Sequence, residues 1–543
     1  MKNLAQKLGQ LIMMDFRYWS KDSTNKYIGF TQSTPTVCKL FNKYNLGGFI
    51  LFKENIENNQ QIISLLRDLQ ASVDNPLFFA TDQEGGRVHR LKQGTSSCGN
   101  MAITATNNPK NAYTISKLIG NELYSLGINI NFAPVIDVNS NKDNPIIGVR
   151  SYSDDPMVVT QYARESLKGL ADANVISCVK HFPGHGDTAL DSHYSAVTLD
   201  KDIDELEKIE LQPFRKLAND YDMVMTAHIS MPKLDDTQHT SIATSKKLYI
   251  PATLSHKIIT KFLKQDMEFK GLVVSDALDM KAITTHFDQI EATKMAILAG
   301  IDIVLMPVRV WCDDDIYKID ELFSELEKEY ITNSDFAKAV NSAYDKIIAY
   351  KKQHKLSESL LYTKNFNNQL DIANKIVNSK KHQQIAFDIA KQSTNIVKNN
   401  GLIPFSLDDN QKIVIVDSDV DRLKDFKNHL DAIVKASNLN IEVISQTIEN
   451  VQTNLVASAN LVILVSANLR KFSQAYSRIM VINPIKTINI AAINPYDNEH
   501  IENIENYVCI YGATSLDQTN YTKTFLSINI QTCLENLFNN NQS

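Results

Sequence analysis

Nowhere does the chain approach the run of about eighteen apolar residues that a membrane-spanning helix needs, so no membrane span is expected. Met1 to Lys7 passes straight into an amphipathic pattern, without the apolar core of a secretory signal. The chain therefore reads as cytoplasmic; a signal removed upstream would instead make it periplasmic or secreted. The six cysteines, Cys38, Cys98, Cys178, Cys312, Cys509 and Cys533, are scattered and include no Cys-x-x-Cys pair. They read as reduced and mostly structural, and a zinc site would have to be made from histidines. There is no excess of positive charge: the formal net charge of −6 argues against a nucleic-acid partner. Gly-x-Gly-x-x-Gly and phosphate-loop signatures are missing, as are internal repeats, so no nucleotide cofactor is expected. Only the Asn-rich tail is of low complexity.

What is present is an ordinary globular composition, 43% hydrophobic and 22% charged, over 543 residues. Short apolar runs recur at 10–14, 47–51, 77–80, 128–133, 175–179, 223–226, 272–274 and 303–306. Helix-compatible stretches such as 62–69, 115–126 and 291–298 lie between them. Eight strand–helix units in this length predict an α/β fold, a (β/α)8 TIM-type barrel over residues 1–345. Residues 346–400 read as a helical linker rich in Lys, Asn and Gln. Beyond Gly401-Leu402-Ile403-Pro404-Phe405, apolar runs at 413–416, 461–465, 488–493 and 507–511 predict a smaller α/β sandwich domain over 401–543.

Polar residues stand at the carboxyl ends of the candidate strands, where a barrel of this kind keeps its site: Asp82, Asp137, Lys180, His181, His228 and Asp276. The most informative stretch runs from Lys180 to His193 (Lys-His-Phe-Pro-Gly-His-Gly-Asp-Thr-Ala-Leu-Asp-Ser-His). Pro183, Gly184 and Gly186 make it a shaped loop rather than a helix. That also disqualifies His181 and His185 as a helical zinc pair, so no metal is expected; His185 reads as a loop-holding residue. Asp191 and His193 are two residues apart, close enough for the carboxylate to orient the imidazole as a general acid/base. The run Gly271 to Met280 ends a buried strand in Asp276, which taken alone is a nucleophile, a ligand or a helix cap. Beside a separate Asp–His proton donor the nucleophile reading gains, because a carboxylate nucleophile with a distinct acid is the equipment of retaining glycoside hydrolysis. In the loop Asp82 to Arg90, Asp82 is suited to accept from sugar hydroxyls and Arg90 to donate to them. Arg150 stands on a further turn, 144–152.

These segments, in this order, closely resemble the signatures of the glycoside hydrolase family 3 β-N-acetylglucosaminidases, in particular the two-domain type. The resemblance is strong over residues 5–310, and 397–405 is similar to the entry of that family's second domain. It implies that Asp276 forms a covalent glycosyl intermediate and that His193, paired with Asp191, protonates the leaving oxygen and then activates water. It implies that Asp82, Arg90, Arg150, Lys180 and His181 hold the non-reducing sugar. The chain departs from the pattern at Tyr194-Ser195-Ala196-Val197, which lacks a proline, and at 96–100, on the expected pocket rim.

The expected activity is a retaining exo-β-N-acetylglucosaminidase acting on terminal β-linked N-acetylglucosamine, with peptidoglycan fragments as the implied substrate. Two alternatives are a phosphorylase of the same family, since a neutral His tolerates an approaching phosphate, and a non-catalytic sugar-binding protein on the same barrel. The residues needed for chemistry are all present, which disfavours the last. The partner in every case is a carbohydrate.

Overall fold

The computed structural model describes residues 4–188, 197–512 and 527–538. Eight parallel strands form the first sheet: β1 (Ile12–Met14), β2 (Gly48–Leu51), β3 (Phe78–Thr81), β4 (Ile130–Asn131), β5 (Ile176–Phe182), β6 (Met223–Thr226), β7 (Leu272–Val274) and β8 (Val304–Leu305). They pair in chain order, β8 returns onto β1 through Ile12↔Val304, and a parallel bridge Val274↔Ile303 joins β7 to β8. The sheet is thereby a closed barrel, as the eight apolar runs predict. Every residue of these strands is buried, which accounts for their unbroken apolar character: both faces of a parallel barrel are covered, one by helices and one by the barrel's own interior.

The helices between the strands begin and end where their side chains dictate. Asn58 accepts from Gln61 N to start Asn59–Ala71, and Asp155, followed by proline at the first turn, starts Pro156–Asp172. Helix Lys110–Leu126 stops at Gly127, whose φ of 96° is a conformation that glycine adopts without strain. Each turns an apolar stripe onto the barrel, so that strand and helix side chains share one core.

Helices Ser334–Gln353, Phe366–Ile376 and Lys380–Ser393 lead to a second, six-stranded sheet. Its strands are β9 (Asn395–Lys398), β10 (Lys412–Asp417), β11 (Glu442–Thr447), β12 (Leu461–Ser466), β13 (Thr487–Ala491) and β14 (Asn506–Cys509), in the order β9-β14-β13-β12-β10-β11. All neighbours are parallel except β9 against β14. The four inner strands are those marked by apolar runs. The two edges, β9 and β11, are exposed to half-buried and carry polar side chains such as Asn395, Lys398, Ser445 and Gln446, so they give no such signal.

The second sheet's loops rest on loops at the carboxyl end of the barrel. Asn139 Nδ2 donates to the Tyr496 hydroxyl at 3.3 Å, Lys142 Nζ pairs with Glu499 Oε1 at 2.5 Å, and Asn529 Nδ2 donates to the Cys98 carbonyl at 3.2 Å. Among the described residues no helix is long and apolar enough to cross a membrane.

Candidate active site

The residues at the carboxyl ends of β3, β5 and β7 are brought together by segments built from buried polar side chains. After β3, Asn131 clamps the backbone of Gln83, accepting from its N at 3.0 Å and donating to its carbonyl at 2.9 Å. Gln83 Oε1 in turn accepts from the backbone N of Arg90 at 2.7 Å, and its amide meets His89 Nδ1 at 3.1 Å. His89 is fully enclosed, and burial pushes its imidazole down to about 4, so it serves as a neutral strut. These contacts fold the segment back on itself and aim Asp82, Glu84 and Arg90 into one space.

Lys180 stands near the carboxyl end of β5 with its ammonium almost wholly buried, 2.7 Å from Asp82 Oδ1 and 2.7 Å from Glu84 Oε1. Arg150 forks onto the same Glu84, with Nε to Oε2 at 2.9 Å and Nη2 to Oε1 at 2.8 Å. Burial opposes ionisation of Glu84, but the two cations outweigh it and hold the carboxyl far below its usual range. Burial likewise opposes charge on Lys180, and Asp82 and Glu84 overcome it, raising the ammonium. Arg90 approaches Asp82 Oδ2 at 3.8 Å. The outcome is a fixed set of opposed side chains at the mouth of β3 and β5.

His181 is set from below by Asp137. The carboxylate oxygen Oδ2 accepts from His181 Nδ1 at 2.6 Å, and Oδ1 accepts from the backbone N of His185 at 2.7 Å. That fixes the proton on Nδ1 and turns Nε2 toward Arg150 Nη2, 3.5 Å away. His185 is buried, its Nδ1 meets Thr188 Oγ1 at 2.9 Å, and burial with the neighbouring His181 brings it down to about 4. It is a loop-holding residue, as its surroundings in the sequence suggest. Gly186 presses against the 137–144 turn: a Cβ there would stand 1.6 Å from the Val138 carbonyl oxygen. Asn144 ties the two segments, donating to the carbonyls of His185 at 2.8 Å and Gly186 at 2.9 Å while its Oδ1 accepts from Ile146 and Ile147 N.

Asp276 follows β7. Its backbone is pinned from both sides, Ser275 N donating to Ile303 O and Leu278 N to Leu305 O, each at 3.0 Å, and Asp276 Oδ1 accepts from Ala277 N at 2.8 Å. His228, after β6, meets the Ala277 carbonyl through Nε2 at 3.0 Å and Thr253 Oγ1 through Nδ1 at 2.9 Å, so it supports the Asp276 turn from beneath.

Asp82, Arg90, Arg150, Lys180, His181 and Asp276 all line one cavity of about 530 Å³ at the carboxyl end of the barrel. Ile50, Phe52, Met225 and Leu305 supply much of its apolar surface, and Glu84, Asp279, Arg17, Lys281 and Arg309 its remaining charges. Of the residues singled out in the sequence, Asp191 and His193 lie outside the described residues. Glu84 escaped sequence reading, although its place two residues after Asp82 puts both on the same side of the turn. Arg17, Asp279 and Arg309 escaped it as well, since an isolated arginine or aspartate in a loop carries no signal. Among the described residues no three His, Cys, Asp or Glu side chains gather as a metal ion would require.

A closed (β/α)8 barrel with a charged, partly apolar pocket over its strand ends belongs to the architecture of barrel enzymes whose loops carry the chemistry. The description "Glycosyl hydrolase family 3 N terminal domain" matches residues 3–344, and the chain belongs to that family; it is a glycoside hydrolase. It is 39% identical over 427 residues to Beta-hexosaminidase A of Pseudoalteromonas piscicida, covering 76% of this chain and 69% of that protein. Among solved structures it is similar to a glycoside hydrolase family 3 beta-N-acetylglucosaminidase from Paenibacillus sp. str. FPU-7, at 26% identity and a TM-score of 0.77, across 99% of this chain and 97% of that one. It is also similar to a fungal multi-domain GH3 beta-N-acetylglucosaminidase, at 26% identity and a TM-score of 0.81, covering 98% of this chain but 59% of the fungal protein's length.

Proposed function

We propose that the protein is a retaining exo-β-N-acetylglucosaminidase that releases terminal β-linked N-acetylglucosamine, with peptidoglycan fragments in the cytoplasm as its substrates. The observation that carries this reading is the gathering of Asp276 with Asp82, Arg90, Arg150, Lys180 and His181 around a single pocket. The names of its relatives, beta-hexosaminidase and beta-N-acetylglucosaminidase, support the choice of sugar.

In this mechanism the carboxylate of Asp276 attacks the anomeric carbon as the bond from that carbon to the leaving oxygen breaks. His193, oriented by Asp191, gives its proton to that oxygen. In the second half His193 takes a proton from water, whose oxygen attacks the same carbon and releases Asp276. The fixed charges of Asp82, Lys180, Arg90 and Arg150, with His181, hold the hydroxyls and need little rearrangement on binding.

The test is hydrolysis of para-nitrophenyl β-N-acetylglucosaminide beside the β-glucoside, with and without phosphate, for the wild type and Asp276→Ala. Selective turnover of the N-acetylglucosaminide that vanishes in the variant is expected. Strong stimulation by phosphate, with sugar 1-phosphate as product, would move the assignment to a phosphorylase. No turnover of either sugar by folded protein would leave a sugar-binding role.

A further inference from the structure

Next to the cavity over Asp276, behind its lining residues Arg17 and Arg309, stands a group of different character. From the end of β1 rises a two-stranded antiparallel hairpin, Tyr18–Lys21 with Tyr27–Gly29. Its base is locked: the fully buried Asn55 donates through Nδ2 to the carbonyls of Phe16 and Phe30, each at 3.0 Å, and Phe30 N donates to Arg17 O at 3.1 Å. The hairpin meets the loop after β8 through three aromatic rings. Trp311 packs edge-to-face with Tyr18 at 4.9 Å and with Tyr27 at 5.3 Å, and the two tyrosines are 5.3 Å apart. Trp311 is held from behind by Asp15, whose Oδ2 accepts from its Nε1 at 3.3 Å.

This group is joined to the cavity by arginines. Arg309 lies over the Trp311 ring at 4.4 Å and donates from Nη2 to Asp279 Oδ2 at 3.0 Å, and both Arg309 and Asp279 line the cavity with Asp276. Arg17 lines it too, stacked 3.6 Å from the Phe52 ring. The rings are not core residues: Tyr27 is 37% exposed, and Tyr18 and Trp311 are only half-buried. A contiguous, partly exposed aromatic group in contact with an arginine that lines a polar pocket suits a binding surface better than a packing one.

We propose that Tyr18, Tyr27, Trp311 and Arg309 form the leaving-group subsite, and that its occupant is a second pyranose ring. The proposal rests on the glycosidase reading above and extends it to the far side of the bond that is cut. A pyranose offers apolar C–H faces bordered by hydroxyls. Aromatic side chains cover the first, and a guanidinium with five forked N–H donors serves the second while still holding Asp279. An acyl chain finds no match here, because Arg17 and Arg309 stand among the rings. Contacts on this side hold the leaving oxygen in line with Asp276 and are realised in full only with an oligosaccharide substrate.

The experiment compares two donors that share the first sugar: N,N′-diacetylchitobiose, whose leaving group fills the subsite, and the β-N-acetylglucosaminyl fluoride, whose leaving group does not reach it. In Trp311→Ala the ratio of kcat/KM for the disaccharide to that for the fluoride is expected to fall about tenfold, chiefly through the KM of the disaccharide. Trp311→Phe should restore most of it. Tyr27→Ala, at an exposed position that folding tolerates, should move the ratio the same way by a smaller factor. An unchanged ratio in all three variants would overturn the subsite while leaving the glycosidase intact. Wild-type protein that splits neither donor would refute the glycosidase reading, and the subsite with it.

Discussion

His181 Nδ1 stands 2.6 Å from Asp137 Oδ2, and the same carboxylate accepts the backbone N–H groups of His181 and His185. One fully buried group thus sets both the ring of a pocket residue and the backbone that leads toward Asp191 and His193. Asp137→Asn replaces an acceptor with a donor against Nδ1, which forces the histidine to the other tautomer or the amide to turn away. The expected result is a fall in kcat/KM of about tenfold or more, with KM carrying much of it if His181 holds the sugar. Steady-state kinetics on the aryl N-acetylglucosaminide checks this, and kinetics equal to wild type would remove Asp137 from the account.

Glu84 is the hub of the charged wall, shared by Lys180 and Arg150. Glu84→Gln keeps the shape but strands two buried cations with Asp82 as their nearest anion, so a loss of about 3–5 kcal/mol of stability is expected. The acid response follows from the direction of its shift. Arg150 and Lys180 hold the folded carboxyl below its ordinary range, and Asp137, pulled down by His181 against the effect of burial, behaves alike. As pH drops, the unfolded chain takes up these protons first. The stabilisation is therefore complete at neutral pH and is lost as pH falls through and below the usual carboxylate values. Melting temperatures between pH 7 and 3 should decline less steeply in Glu84→Gln than in the wild type.

Much of this was legible in the chain. The barrel strands are buried on both faces, so each reads as a plain apolar run, and the residue after each run is where the pocket lies. Asp82, Lys180, His181 and Asp276 could be found that way because strand ends are local features. Glu84 could not be given its place, since its meaning comes from Arg150 and Lys180, 66 and 96 residues on, and no local pattern states that they meet. The same holds for Arg309 and Trp311, which reach the hairpin after β1 only because β8 closes beside it. The edge strands β9 and β11 were hidden by their exposure, which lets polar residues stand where the inner strands need Val and Ile.

The loop residues 185–188 are fastened to the 139–144 turn by Asn144, and that turn is braced in its middle by Tyr496 and Glu499 of the second sheet's unit. His193→Gly should reduce turnover far more for alkyl or sugar leaving groups than for activated aryl ones, because only a poor leaving group needs the proton. If Asn144 acts by positioning the start of that segment, Asn144→Ala should show the same leaving-group dependence in weaker form, by about tenfold at most. A plot of log kcat against leaving-group pKa distinguishes the outcomes. A uniform drop across all leaving groups would mean that Asn144 only stabilises the fold.

Asp15 poses the opposite electrostatic case to Glu84. It is fully buried at the end of β1, and burial pushes its carboxyl up to about 6, with Arg17 pulling it down and Asp279 pushing it further up. A carboxyl whose folded value is raised resists ionisation more in the folded chain than in the unfolded one. Its contribution is thus fully present below the unfolded value near 4 and is lost as pH rises toward 6. Asn at this position keeps an oxygen for the Trp311 Nε1 donor without the charge. Asp15→Asn should therefore melt higher than the wild type at pH 7, by a margin worth roughly 2–3 kcal/mol, and the two should converge as pH is lowered from 6 to 4. Were the variant less stable at pH 7, the Arg17 pairing at 3.6 Å would outweigh the cost of burying the charge.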